Sequence, residues 1–483
     1  MNEPYGHFWK RALAVGAAAL AVAACATVPR MGPRSEVKPA SSYAADRSLA
    51  APAADWPADR WWEAYGDTQL SALIDEALRG SPTLAQARAR LAAADAQARQ
   101  ARAATAPSLT FNGQADETEL SREQGFPPII QNYLPKGYQS YGRIALDASY
   151  DLDLFGRNRA ALAAAVSQTQ AVRADLAQSR LTLATAVAQA YGDLARLGAE
   201  RVAAAATVTN RAETSRLVVA RLRNGLDTRA ELKQAEAATP ASQADVEALD
   251  EQILIARHRI SALLGEGPDR GLDIAMPTAG SVKAFGLPAD LTVNLVGRRP
   301  DIVAARLRAE AAAKQIDAAR AAFYPNITIN AFVGQQALYI SQLFNPAAAV
   351  GQFGPAVSLP IFDGGRLRGA WRGARANYDA AVGAYDQTLA EALQDVADSA
   401  VSVQSAARQL AERRQALEAG EAAYAVARLR FQGQLTSYVA VLSAEDAVIG
   451  ERRALADAQA RGFTLDIALV RALGGGFADT PKS

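Results

Sequence analysis

The sequence predicts a mostly α protein with membrane β-strands, built from a duplicated helix-strand-strand-helix repeat that supplies four strands per chain. Three observations predict it. In "IALDASYDLDLF" (144–155), Ile144, Leu146, Ala148, Tyr150, Leu152 and Leu154 alternate with Ala145, Asp147, Ser149, Asp151 and Asp153, the period of a strand with one apolar and one polar face. "SPTLAQARARLAAADAQARQARAATAPSLTFN" from Ser81 matches "RPDIVAARLRAEAAAKQIDAARAAFYPNITIN" from Arg299, with Pro82 on Pro300 and Pro107 on Pro325, both 218 residues apart. Arg157 to Arg223 and Arg366 to Arg430 contain no proline, and each would run about 100 Å as a helix at 1.5 Å per residue.

Composition narrows the function classes. Of the 483 residues, 50% are hydrophobic and only 7% aromatic, which favours long, closely packed helices over several globular cores. Lys and Arg number 51 against 50 Asp and Glu, so no overall field draws the chain to nucleic acid. The only histidines are His7 and His258 and the only cysteine is Cys25, so no His/Cys cluster is available for a metal or a nucleophile pair. "GGGF" (474–477) is followed by no helix and reads as a helix cap, not a phosphate loop. No enzyme, cofactor or metal is expected.

Taken in order, residues 1–24 read as a signal peptide: Lys10 and Arg11, an apolar run from Ala12 to Ala24, then Cys25. "VAAC" (22–25) resembles a bacterial lipobox. An ordinary signal peptide with an incidental cysteine, or a short membrane anchor, is the alternative. The apolar run is too short to span a bilayer, and the cysteine falls where a lipoprotein signal requires it. A diacylated Cys25 would anchor the chain stably, and Ala26, in place of an aspartate, resembles the outer-membrane-sorted lipoproteins. Residues 25–60 form a Pro/Ser/Ala-rich tether, with Trp56, Trp61 and Trp62 opening the packed structure.

Repeat 1 spans 61–270, with strands at about 107–118 and 141–155, a long helix at about 157–223 and a returning helix at about 228–264. After a linker at 271–288, repeat 2 spans 289–476, with strands at about 325–334 and 353–362, a long helix at about 366–431 and a returning helix at about 437–472; 477–483 is a tail. Phe155 and Phe362 lie 207 apart, so repeat 1 holds 11 more residues between Pro107 and Phe155, which belong most simply in the loop "LSREQGFPPIIQNYLPKGYQS". Leu162, Leu176, Leu183 and Leu197, with Val166, Val187 and Leu194, form a coiled-coil seam. The long helices break at "RNGLDT" and "FQGQLTS", and Pro240 should kink the first returning helix.

Four two-faced strands cannot close alone, and strands cross a membrane only in a closed barrel, so closure demands several chains. Three would supply twelve strands around a pore lined by Asn112, Gln114, Asp147, Ser149, Asp151 and Asp153. Alternation alone is equally compatible with a soluble sandwich, whereas the lipobox, the strand lengths and the flanking tyrosines and phenylalanines agree with a membrane barrel.

"LVGRRPDI" (295–302), "FYPNI" (323–327), "DLFGRNR" (153–159), "PIFDGGRLR" (360–368) and "RALGGGF" (471–477) resemble the outer-membrane efflux factors, the TolC-like family, and the lipidated start resembles the branch serving RND-type pumps. The resemblance covers about residues 56–477. It implies a homotrimeric twelve-stranded barrel continued by an α-helical periplasmic barrel. It further implies docking to a periplasmic adaptor and an inner-membrane RND-type transporter, and passive conduction to the exterior. A type I protein-secretion outlet is the alternative within the family, and a structural coiled-coil lipoprotein of the envelope is the alternative outside it.

In the family, acidic and tyrosine side chains near the periplasmic helix tips hold or line the closure. "RFQGQLTSYVAVLSAED" matches that pattern at Arg430, Phe431, Tyr438 and Leu442, but departs at Gln434, where a turn glycine is usual, and at Ser443, where an aspartate is common. The resemblance thus makes Arg430, Tyr438, Ser443, Glu445 and Asp446 candidate gate residues, and Arg223, Asp227 and Glu231 join them as charges at the repeat-1 tip that could pair across helices. A solvated charged surface is the bland alternative at each charged position.

Overall fold

The structure is a computed structural model that describes residues 31–479 except 122–126, 128, 130–132, 278–285 and 290. The signal and Cys25 therefore lie outside the described residues. The chain forms two compact units: one comprises the segment ending at Glu36, Ala92–Gln170 and Arg306–Gly383; the other comprises Val37–Leu91, Ala171–Ala305 and the chain from Ala384 onward.

The first unit is organised by a four-stranded antiparallel sheet in the order β1-β2-β3-β4, with β1 at Ser108–Glu119, β2 at Tyr138–Asp151, β3 at Asn326–Ala337 and β4 at Ala349–Ser358. The β2–β3 pairing joins one repeat to the other. Register carries the alternation across the sheet: Phe111 faces Leu146, which faces Val333, while Thr110 faces Asp147 and Asp147 faces Phe332. Residues sharing a row point to one face.

Strand ends differ from the sequence expectation. β2 begins three residues earlier and stops at Asp151 instead of running to 155, and β4 spans 349–358 instead of 353–362. The cause at β2 is the next helix. Asp153 adopts φ 45°, and its carboxylate accepts the backbone N–H groups of Asn158 and Arg159 at 2.9 Å each, capping the helix that follows. After β4, Asp363 does the same through the N–H of Gly365 at 2.9 Å and of Leu367 at 2.8 Å. The surplus in repeat 1 is also shared. The β1–β2 connection covers 120–137 against 338–348 for β3–β4, and β2 has 14 residues against 10 for β4. Seven extra residues thus lie in the loop and four in the strand.

The helices are α1 Thr68–Gly80, α2 Pro82–Ala103, α3 Arg157–Arg223, α4 Arg229–Leu264, α5 Leu291–Arg298, α6 Pro300–Ala321, α7 Arg366–Gln432 and α8 Tyr438–Ala472, with a single turn at Asp269–Leu272. Both α3 and α7 have 67 residues. Helix α4 is one element through Pro240. Among the described residues no helix is long and apolar enough to cross a membrane.

In the second unit Leu70, Leu73, Ile74 and Ala77, spaced three to four apart on α1, are buried against Trp61, Trp62 and Tyr65. The seam residues Leu183, Val187, Leu194 and Leu197 of α3 join that core, whereas Leu176 is partly buried against it. In the first unit Val166 of the same row is exposed. The motif residues have packing roles. Arg299 is buried, donating to Asp301 at 2.6 Å, Asp395 at 3.1 Å and the Ala472 carbonyl at 3.3 Å. Gly474 has φ 88° and lies so close to the Arg298 carbonyl that a Cβ would collide with it, so a side chain at 474 is barred where "RALGGGF" meets "GRRP".

Candidate functional site

The two faces of the sheet have opposite chemistry. On one stand Leu109, Phe111, Val333 and Phe353, between 65% and 70% exposed, together with Leu146 and Tyr150. On the other, Asp147 accepts a hydrogen bond from Asn112 Nδ2 at 2.8 Å and an ion pair from Arg143 at 3.2 Å, while Ser149 donates to Asn330 at 3.0 Å. The Arg143 guanidinium also lies 5.2 Å from the centre of the Phe332 ring. Thr110, Asn112, Asp147, Ser149, Asn330 and Gln352 border a hollow of about 370 Å³ on this face. Gln114 shares it, donating to Asp116 at 2.5 Å.

Asp153 departs from its expected place in the polar row, whereas Asp151 keeps it, opposite Thr328 at the last position of β2. Asp151 closes β2, and its carboxylate turns to the N–H of Asp153 at 2.9 Å, Asn158 Nδ2 at 3.1 Å and Arg157 at 3.3 Å. Asp153 lies beyond the strand and caps α3. Both carboxylates serve the strand-to-helix junction. Phe155 stacks on Tyr324 there at 4.8 Å.

At the far ends of α3 and α7, in the second unit, the chain turns back in two matching motifs. The Leu226 N–H donates to the Arg221 carbonyl at 2.9 Å and Gly225 N–H to Leu222 at 2.9 Å; likewise Leu435 N–H donates to Arg430 at 2.7 Å and Gln434 N–H to Phe431 at 3.1 Å. Gly225 (φ 73°) and Gln434 (φ 65°) hold the left-handed position in each. Gln434 thus occupies the place where glycine would be free of Cβ strain. Gln434→Gly is expected to stabilise this turn by up to about 1 kcal/mol, read as slower hydrogen exchange at the Leu435 amide; faster exchange would show that the side chain contributes more than its strain.

Between the turns lies a small apolar core of Val218, Ala235, Phe431, Tyr438 and Val441. Arg221, 9% exposed, seals it: it pairs with Asp227 at 2.9 Å, donates to the Phe431 carbonyl at 2.9 Å, and lies 4.3 Å from that ring's centre. The Asp227 carboxylate is itself buried. Tyr438 is fully buried and its hydroxyl has no hydrogen-bond partner; burial first, and then Glu445, push it up to about 12.

Two turns beyond Tyr438 on α8, Glu445 is buried, 3.4 Å from Arg211, which reaches Asp446 at 2.7 Å and the Ala238 carbonyl at 3.3 Å. Arg211 therefore ties α3 to both α4 and α8. Sequence reading missed it, because a mid-helix arginine whose acidic partners lie 234 and 235 residues away leaves no local signal. The other expected tip residues separate: Glu231 completes a capping box with Thr228, Arg223, Arg430 and Ser443 are exposed, and Asp446 is exposed but paired.

Burial holds the Glu445 carboxyl above its ordinary range, outweighing Arg211 and the Tyr424 hydroxyl. The folded tip therefore binds more protons than the unfolded chain. Its stability is greatest below the unfolded glutamate value and is lost as pH rises through the raised folded value. Protection factors at 438–446 are expected to grow on acidification from neutral pH, and Glu445→Gln should flatten that trend. Constant protection in the unmodified protein would exclude the linkage.

A sheet with one face fit for lipid and one for water, on a chain whose other elements are long paired helices, defines the subunit of an outer-membrane channel. Residues 73–266 and 291–475 match the model of the outer membrane efflux protein family, and the chain belongs to that family. It is 30% identical over 473 residues to the multidrug resistance outer membrane protein MdtP of Escherichia coli K12, covering 95% of each chain. It is 36% identical over 365 residues to the fusaric acid resistance protein FusA of Burkholderia cepacia, covering 74% of this chain and 68% of the other. The crystal structure of the outer membrane protein VceC of Vibrio cholerae superposes with TM-score 0.81 at 40% identity, covering 87% of this chain and all (100%) of that one. Among the described residues no group of three or more His, Cys, Asp or Glu could hold a metal.

Proposed function

We propose that three copies of the chain close their sheets into one twelve-stranded barrel, and that the trimer is the exit duct of a tripartite efflux pump. The two-faced sheet carries this reading: apolar rows such as Phe111, Leu146 and Val333 face lipid, and Asn112, Gln114, Asp147 and Ser149 line the water-filled pore. Cys25 is diacylated and anchors the tether in the outer membrane. The helix tips, held by Arg221 and Arg211, form the periplasmic closure; Asp227, Glu445 and Asp446 act there through those arginines, and Tyr438 through the apolar core between the turns. A periplasmic adaptor and an RND-type inner-membrane transporter deliver the cargo and the energy. Resistance to small organic compounds in the names of MdtP and FusA favours such cargo over secreted protein.

Reconstitution of the purified protein in planar bilayers tests the reading. A trimer that conducts in discrete steps supports it, and a monomeric, non-conducting product refutes it.

A further inference from the structure

Within the second unit, α3, α4, α7 and α8, with the start of α1 and residues 276–277, line an open cleft of about 830 Å³ that neither the sheet nor the tips explain. We propose that it is a binding site for an amphipathic organic anion. Its volume lies in the range of small-molecule sites, which are largely apolar with a few converging polar groups. The apolar part comes from Tyr65, Leu70, Ile253, Met276, Pro277 and Phe463. Two walls are preformed: Phe463 seats against Gly192 and Met276 against Gly198, where a Cβ on either glycine would collide.

The polar part is cationic. Four guanidiniums, of Arg196, Arg201, Arg257 and Arg414, face two carboxylates, of Asp67 and Asp250. Both carboxylates are engaged: Asp67 accepts from Leu70 N–H at 2.9 Å and the Tyr191 hydroxyl at 2.7 Å, and Asp250 pairs with Arg201. Arg196 pairs with Glu200 and, at 3.5 Å, with Asp457. Among the described residues the two lining guanidiniums outside these ion pairs are those of Arg257 and Arg414, against the one carboxylate, Asp67, that is held by neutral donors. Arg257 Nε is buried without a hydrogen-bond partner, a costly state for a charged donor that an anion in the cleft would relieve. A carboxylate or sulfonate on Arg257, with its aromatic or aliphatic body against Phe463 and Met276, satisfies both halves of the lining. Such a ligand would touch the α3–α4 and α7–α8 pairs together and hold them in one arrangement.

The test uses the full-length protein in lipid nanodiscs and does not depend on transport. Binding of 6-fluoro-2-naphthoate is followed by ¹⁹F line broadening, with empty nanodiscs as background and the neutral carboxamide as control. Saturable binding is expected, at least tenfold tighter for the carboxylate than for the amide. Arg257→Gln should weaken it about tenfold, Arg257→Lys should restore part of the loss, and Ala460→Trp should abolish it by filling the cleft. Absence of saturable binding, equal binding of amide and carboxylate, or binding indifferent to Arg257→Gln and Ala460→Trp would each overturn the assignment. Conductance of the same protein preparations in planar bilayers distinguishes failure of this site from failure of the duct reading.

Discussion

Asp227→Lys combined with Asp446→Lys raises single-channel conductance severalfold while the trimer remains intact. Asp227 is the buried partner of Arg221, and Asp446 is the tightest partner of Arg211. Lysine at both positions sets like charge against each guanidinium. Removing one member of a buried pair costs roughly 3–5 kcal/mol, because the other charge is left without compensation. Here the loss falls on Arg221, whose bond to the Phe431 carbonyl and stacking on that ring close the tip core. Threefold symmetry would repeat the loss around a narrow opening. Single-channel recording in planar bilayers is the measurement. Conductance equal to that of the unmodified protein would remove both residues from the closure.

Leu146→Arg and Asp147→Asn, adjacent on β2, have opposite expected consequences. Leu146 lies in the apolar row between Phe111 and Val333, and arginine on the lipid face of a membrane barrel costs about 2–4 kcal/mol near the midplane. Leu146→Arg should therefore sharply reduce the fraction of chain recovered as an assembled, membrane-inserted barrel. Asp147→Asn keeps the bond to Asn112 within reach and should leave assembly unchanged, yet lower cation preference, seen as a shifted reversal potential in a KCl gradient. Equal assembly of Leu146→Arg and Asp147→Asn would show that the row does not face lipid.

What was legible in the sequence follows from the range of each interaction. Side-chain alternation is local, so the rows through Leu109, Phe111 and Asn112 and through Leu146 and Asp147 could be read directly. The end of β2 could not, because alternation continues through Leu152 and Leu154 while the chain has already turned to cap α3 with Asp153. The start of β4 escaped for a related reason: "AVGQ" has little pattern of its own and is a strand because β3 pairs with it. At the tips, the left-handed turn position was visible as Gly225 but disguised at Gln434. Pairs such as Arg211 with Glu445, distant in sequence, leave no periodic trace.

The order β1-β2-β3-β4 leaves β1 and β4 as the two free margins of each sheet. A lone subunit placed in lipid would present unpaired amides along both margins, so it has no low-energy inserted form. Insertion and association then become one kinetic event. The rate of barrel formation should rise with more than the first power of subunit concentration, and dilution of unassembled chains should trap them at the membrane surface instead of yielding partial pores.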